Sequence, residues 1–307
     1  MIRKLTAILF VVLVAASAQA QSPDSVEEFH DRGAQRFARG DFEGAISDFT
    51  AVINLTSSLP KSGTNRNKWS AAEVEAFGDA RVLDPRTATA YVNRGVARLA
   101  QHDADGAIDD FNRALFIDPS LAWAYYDRGT AWFMKGEAER ALEDYDKALR
   151  LDPRFAVAYV GRANLRLDKG DRAGAFADFD EALRLNPRDA RLYYNRGDAR
   201  RLAGDSAGAR DDFDRALRLD PRNSDAYCGR GMLKFTAGDV GGAVADFTKA
   251  LGLNEGLALA YANRGLALSV LGKDSEAEGD FRRALVIDPA LRPLIEARLA
   301  SLKQQKR

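Results

Sequence analysis

A pattern that returns every 34 residues, without insertion or deletion, constrains this chain more than any other feature. In residues 88–119 it reads Tyr91, Arg94 and Gly95, then Gly106, Ala107, Asp110 and Phe111, then Ala114, Asp118 and Pro119. One period later stand Tyr125, Arg128, Gly129, Ala141, Asp144, Tyr145, Ala148 and Pro153. Tyr159, Tyr193, Tyr227 and Tyr261 open four further copies. A unit this short cannot bury an apolar face alone, so the copies must stack and cover one another.

The punctuation of each copy predicts two helices. Gly136, Gly170, Gly204, Gly238 and Gly272 end the first, where a residue without Cβ can turn the chain. Asp171, Asp205 and Asp239 follow three of these and are candidate N-caps of the second. Asp118-Pro119, Asp152-Pro153, Asn186-Pro187, Asp220-Pro221 and Asp288-Pro289 stop it, because a residue before proline avoids the α region. Asn254-Glu255 lacks the proline, so a looser boundary is expected there. Glycine inside a helix costs roughly 1 kcal/mol against alanine, so Gly95, Gly129, Gly197, Gly231 and Gly265 mark close approach of helices.

This period and residue order resemble the tetratricopeptide repeat, and the resemblance covers nearly all of the chain beyond its N-terminal segment. It implies an all-α, right-handed superhelical solenoid of antiparallel helix pairs, with the first helix of each pair on the concave side. The chain then divides into 1–20, a signal peptide; 21–55, a first repeat; 56–87, an inserted loop with the second helix of a degenerate repeat, 70–83; 88–289, six contiguous repeats; and 290–307, a capping helix and basic tail. The cap is expected because Leu294, Ile295, Leu299 and Leu302 share one face. The 56–69 loop is open to two readings, a binding element or a tolerated insertion.

Residues 1–20 carry Arg3 and Lys4, an apolar run and Ala18-Gln19-Ala20, the pattern of a secretory signal peptide of an exported bacterial chain. The run is short for a spanning helix, so cleavage and a periplasmic or secreted product without a membrane anchor are expected rather than a retained anchor. Loss of Arg3 and Lys4 takes 45 basic and 45 acidic residues to 43 and 45, a charge of −2. Near neutrality speaks against nucleic acid as a partner.

Chemistry for catalysis is sparse. Two histidines, His30 and His102, and one cysteine, Cys228, form no metal-ligand spacing and no nucleophile–base set, so no catalytic, cofactor-binding or metal residues are expected. The regular charges have a structural explanation: Arg32, Arg94, Arg128, Arg162, Arg196, Arg230 and Arg264 recur in step with Asp48, Asp110, Asp144, Asp178, Asp212, Asp246 and Asp280. Arginine and carboxylate pair in bidentate geometry, so an internal ladder is expected in place of an anion-binding row.

The first helices remain. Val92, Val96 and Leu99, then Trp123, Tyr126, Thr130 and Phe133, then Val160 and Asn164, and Tyr194 lie at helical spacing on the face that the resemblance places inside the groove. Asn195, with Asn93, Asp127 and Asn263, could hydrogen-bond an extended backbone. The expected function is a non-catalytic adaptor of the cell envelope that holds a peptide or helix of a protein partner in this groove. The alternative is a scaffold that engages folded partners through its convex face and the inserted loop.

Overall fold

The computed structural model describes residues 25–57 and 85–305, and within them the chain is helical with no strand. Among the described residues seven helix pairs follow one another: α1 (Val26–Ala38) and α2 (Phe42–Ser57), α3 (Pro85–Ala100) and α4 (Ala104–Ile117), α5 (Ala122–Met134) and α6 (Ala138–Leu151), α7 (Ala156–Asp168) and α8 (Arg172–Leu185), α9 (Ala190–Ala203) and α10 (Ser206–Leu219), α11 (Ser224–Thr236) and α12 (Val240–Leu253), α13 (Ala258–Val270) and α14 (Asp274–Ile287). A 3-10 turn, Pro289–Leu291, leads into α15 (Arg292–Gln305). Two compact halves divide within α8, the first ending at Ala175 and the second beginning at Phe176.

The predicted stop signals act as hydrogen bonds. Asp103, Asp205 and Asp239 cap their helices by accepting from the amides of Gly106, Gly208 and Gly242, each at 2.9 Å. At the far ends of the second helices, Asp118, Asp152 and Asp220 accept the amide two residues ahead at 2.9 Å. Asn254 does the same toward Gly256 at 2.9 Å, and its own amide donates to the Ala250 carbonyl at 2.9 Å. The boundary without proline is therefore as tight as the others, because the side-chain turn closes it and proline only reinforces it.

The mid-helix glycines meet aromatic rings. A Cβ on Gly95 would lie 2.7 Å from Cε1 of Phe111, whose side chain is fully buried. Glycines with φ of 75–88° sit at six helix ends, and His102 holds the equivalent place at φ 64°. His102 is thus the one non-glycine residue with positive φ among the described residues.

Within the first half, α2 packs directly against α3, and the hydroxyl of Thr87 donates to that of Thr56 at 2.7 Å across this seam. Among the described residues no further helix stands between them. The expected second helix at 70–83 lies outside the described residues, as do the signal segment and the 56–69 loop beyond Ser57. In the second half, Leu294, Ile295 and Leu299 of α15 pack with Leu291, Tyr261, Phe281 and Leu285, which supplies the expected cap.

Candidate functional site

The Arg–Asp ladder is internal, as its in-step recurrence implies. Arg32, Arg94, Arg128, Arg196, Arg230 and Arg264 each grip the aspartate sixteen residues on through Nε and Nη2, at 2.6–3.1 Å. A third contact escapes sequence reasoning. Nη1 of Arg94, Arg128, Arg162, Arg196, Arg230 and Arg264 donates to the preceding repeat, to Thr50, Asn112, Asp146, Asp180, Asp214 and Thr248, at 2.6–3.2 Å. One guanidinium therefore closes its own helix pair and staples that pair to its neighbour. The signal that could have found it is an Asp, Asn or Thr two residues after the ladder aspartate.

Burial and pairing compete at these carboxyls. Burial pushes Asp110 and Asp144 above the usual carboxylate range despite their arginines. It acts in the same direction on Asp246, but Arg230 and Lys234 together outweigh it and hold that group low. These arginines also lie over aromatic rings, Arg128 5.4 Å from the Tyr125 centroid and Arg230 5.4 Å from that of Tyr227. None is free for a row of bound anions.

The inner faces of the first helices are the remaining candidate, and the structure divides the predicted residues into two sets. Val92, Val96 and Leu99 are buried in a cluster with Ala107, Phe111 and Leu115. Tyr126 and Thr130 are buried too: Tyr126 packs against Phe155 and Tyr145, with ring centroids 5.4 and 5.7 Å away, and the Thr130 hydroxyl donates to the Tyr126 carbonyl. These five belong to the packing, because consecutive repeats approach closely enough to close over them. Asn93 and Asp127 are likewise 0% and 1% exposed and cannot reach a peptide.

Trp123, Phe133, Val160, Asn164, Tyr194 and Asn195 keep partial exposure. Met134, one helical turn beyond Thr130, is 43% exposed and belongs with Trp123 and Phe133 although sequence reasoning passed it over. In the second half, the corresponding surface is mixed: Leu202 and Leu259, at the places of Met134 and Trp123, are 48% and 50% exposed, with polar groups beside them. Tyr194 of α9 lies in the electrostatic field of Asp198 on its own helix and of Asp225 and Cys228 of α11, and Arg201 pairs with Asp198 at 2.6 Å. Burial raises the Asp225 carboxyl and pushes the Cys228 thiol up to about 12, so this cysteine is no thiolate nucleophile. Among the described residues no three His, Cys, Asp or Glu side chains gather as metal ligands would, and no helix is long and apolar enough to cross a membrane.

Family models described as tetratricopeptide repeat match residues 66–122, 160–224 and 228–291, and a second such model matches 122–155. The chain belongs to the tetratricopeptide repeat family. The first of these matches begins inside residues 58–84, so the family model extends into the inserted segment. A search of curated proteins gives no match. Among solved structures, the chain is similar to a tetratricopeptide repeat protein from Parabacteroides merdae, at 20% identity and TM-score 0.64 over 89% of this chain and 98% of that one. It also resembles PilF of Pseudomonas aeruginosa, at 21% identity and TM-score 0.58, over 66% and 92% of the two chains. TTC0263, a tetratricopeptide repeat protein from Thermus thermophilus, aligns at 24% identity and TM-score 0.52 over 59% and 99%. At these identities the likeness is one of fold.

Proposed function

We propose that the protein is a non-catalytic interaction adaptor of the cell envelope, whose first helices hold a peptide or helix of a protein partner. The observation that carries this reading is a separation of roles. The residues that stand unchanged in nearly every copy are consumed by the core, the ladder and the caps, whereas Trp123, Phe133 and Met134 are large, apolar and partly open on one helix. Tryptophan, phenylalanine and methionine are the side chains that anchor partners. The sequence of residues 1–20 supports export to the periplasm or beyond, with no anchor retained. Affinity capture from an envelope extract, with the native chain beside Met134→Glu, tests it. A specific partner lost with the variant is the expected result, and retention of every partner would contradict it.

The alternative scaffold reading is favoured by one observation, the direct packing of α2 on α3 with the Thr56–Thr87 bond. Replacing residues 58–84 by a short linker should leave thermal stability unchanged and remove partners if this reading holds.

A further inference from the structure

Asp127 is the outlier of the first half. Its side chain is 1% exposed, and neither carboxyl oxygen has a hydrogen-bond partner. One period away in either direction the same place holds Asn93 and Gly161, and further copies hold Asn195, Gly229 and Asn263. Nδ2 of Asn93 meets His30 at 3.0 Å and its Oδ1 is left without a partner, which a neutral amide tolerates at far lower cost than a charge. In α1 the place holds an acid too, but the Asp31 side chain is 41% exposed and keeps its water. Only in α5 is the acid buried.

The cations of the helices packed against α5 are placed elsewhere: Arg113 of α4 lies over Tyr91, and Arg140 and Lys147 of α6 lie over Trp132 and Tyr125. Arg94 and Arg98 of α3 are bound to Asp110 of α4. Arg128 of α5 itself is committed to Asp144 of α6, and Arg162 of α7 to Asp146. The titratable groups that do feel Asp127 are the hydroxyls of Tyr126 and of Tyr145 on α6, both already pushed up by burial. Desolvation alone acts on the carboxyl, and it acts upward. An ionised carboxylate here would have neither water nor a partner, so it must take up a proton or leave the interior.

We propose that α5 is a proton-coupled element: its packed state carries Asp127 as the neutral acid, and deprotonation drives α5 to open. Trp123, Phe133 and Met134 stand on this helix, so the surface assigned to partner binding is most ordered at low pH. The claim about opening is independent of that assignment. The sign follows from linkage. The folded carboxyl is raised, so the packed state binds a proton that the opened state releases. Stability is therefore full below the opened-state value of about 3.9 and is lost as pH rises toward the folded value.

Hydrogen exchange of the full-length protein, read by mass spectrometry over 122–134 and corrected for intrinsic exchange rates, tests this between pH 5 and 9. The native chain should show an opening constant for α5 that rises up to tenfold per pH unit, then levels. Asp127→Asn should remove that rise while leaving α13, in the other half, unchanged. A native slope equal to that of Asp127→Asn, or no slope, would overturn the proposal. Infrared difference spectra between the two at pH 7 supply a second readout. An un-ionised acid carbonyl band present only in the native chain is expected, and a carboxylate band in its place would refute the neutral acid. Binding of a captured partner plays no part in either measurement, so failure here leaves the adaptor reading standing.

Discussion

Replacing Arg128 by alanine separates the ladder from ordinary surface ion pairs. Asp110 in α4 receives two arginines, Nη2 of Arg94 at 2.6 Å and Nη1 of Arg98 at 2.8 Å. Trp132 stands in α5 where α3 has Arg98, so Asp144 relies on Arg128 for its ion pair. The Asp144 side chain is 8% exposed. Orphaning a buried charge costs about 3–5 kcal/mol. Protonation limits the cost, since raising a carboxyl from about 3.9 to beyond pH 7 takes roughly 4 kcal/mol at 1.36 kcal/mol per unit. Loss of the bond to Asn112 adds about 1 kcal/mol. Arg128→Ala should therefore destabilise α5–α6 by about 4 kcal/mol, and Arg94→Ala by about 2 kcal/mol because Arg98 still compensates Asp110. Stacked repeats open locally, so urea titrations followed by hydrogen exchange over 122–151 are the appropriate assay. The Arg128→Ala defect should shrink as pH falls toward about 3.9, below which the orphan is protonated in both states. Combining it with Asp144→Leu should recover most of the loss. Equal effects of Arg94→Ala and Arg128→Ala, or a defect unchanged by acid, would refute the reasoning.

Four further outcomes are expected. His102→Gly relieves a left-handed conformation at φ 64° and should raise the melting temperature, by about 0.5–1 kcal/mol of stability; no gain in a thermal melt would contradict it. Gly95→Ala should destabilise by about 1–3 kcal/mol although alanine is the better helix former, because its Cβ would meet Phe111 at 2.7 Å. Truncation after Asp288 removes the packing of Ile295 and Leu299 and should lower both solubility and melting temperature, as size-exclusion chromatography and circular dichroism would show. Tyr126→Glu should unfold α5, since the ring is 4% exposed, and so reports on packing and not on binding.

The period made the fold legible, because each recurring residue answers a local need that repeats with it. Gly95, Asp205 and Asp118 could be assigned to close approach, cap and stop from their spacing alone. The ladder was legible for the same reason, as a charge that always travels with its opposite. The binding face was not. Val92 and Tyr126 lie at the same helical spacing as Trp123 and Phe133, and only the closeness of neighbouring repeats decides which of them is covered. Asp127 is expected from the sequence to hydrogen-bond an extended backbone, and its burial was not legible because it is set by the neighbouring helices, while Arg128 turns to Asp144. The proline rule was too strict at Asn254, where an amide side chain makes the same turn.

The adaptor reading is tested most directly by site-specific photo-cross-linking in intact cells that express the full-length protein. A benzophenone amino acid at Met134 samples the inner face of α5, and one at Asp109, exposed on α4, samples a second helix. Discrete adducts from position 134, absent from 109 and lost on adding Phe133→Glu, are the expected result. Adducts from 109 alone would place the partner on the outer surface and contradict the account.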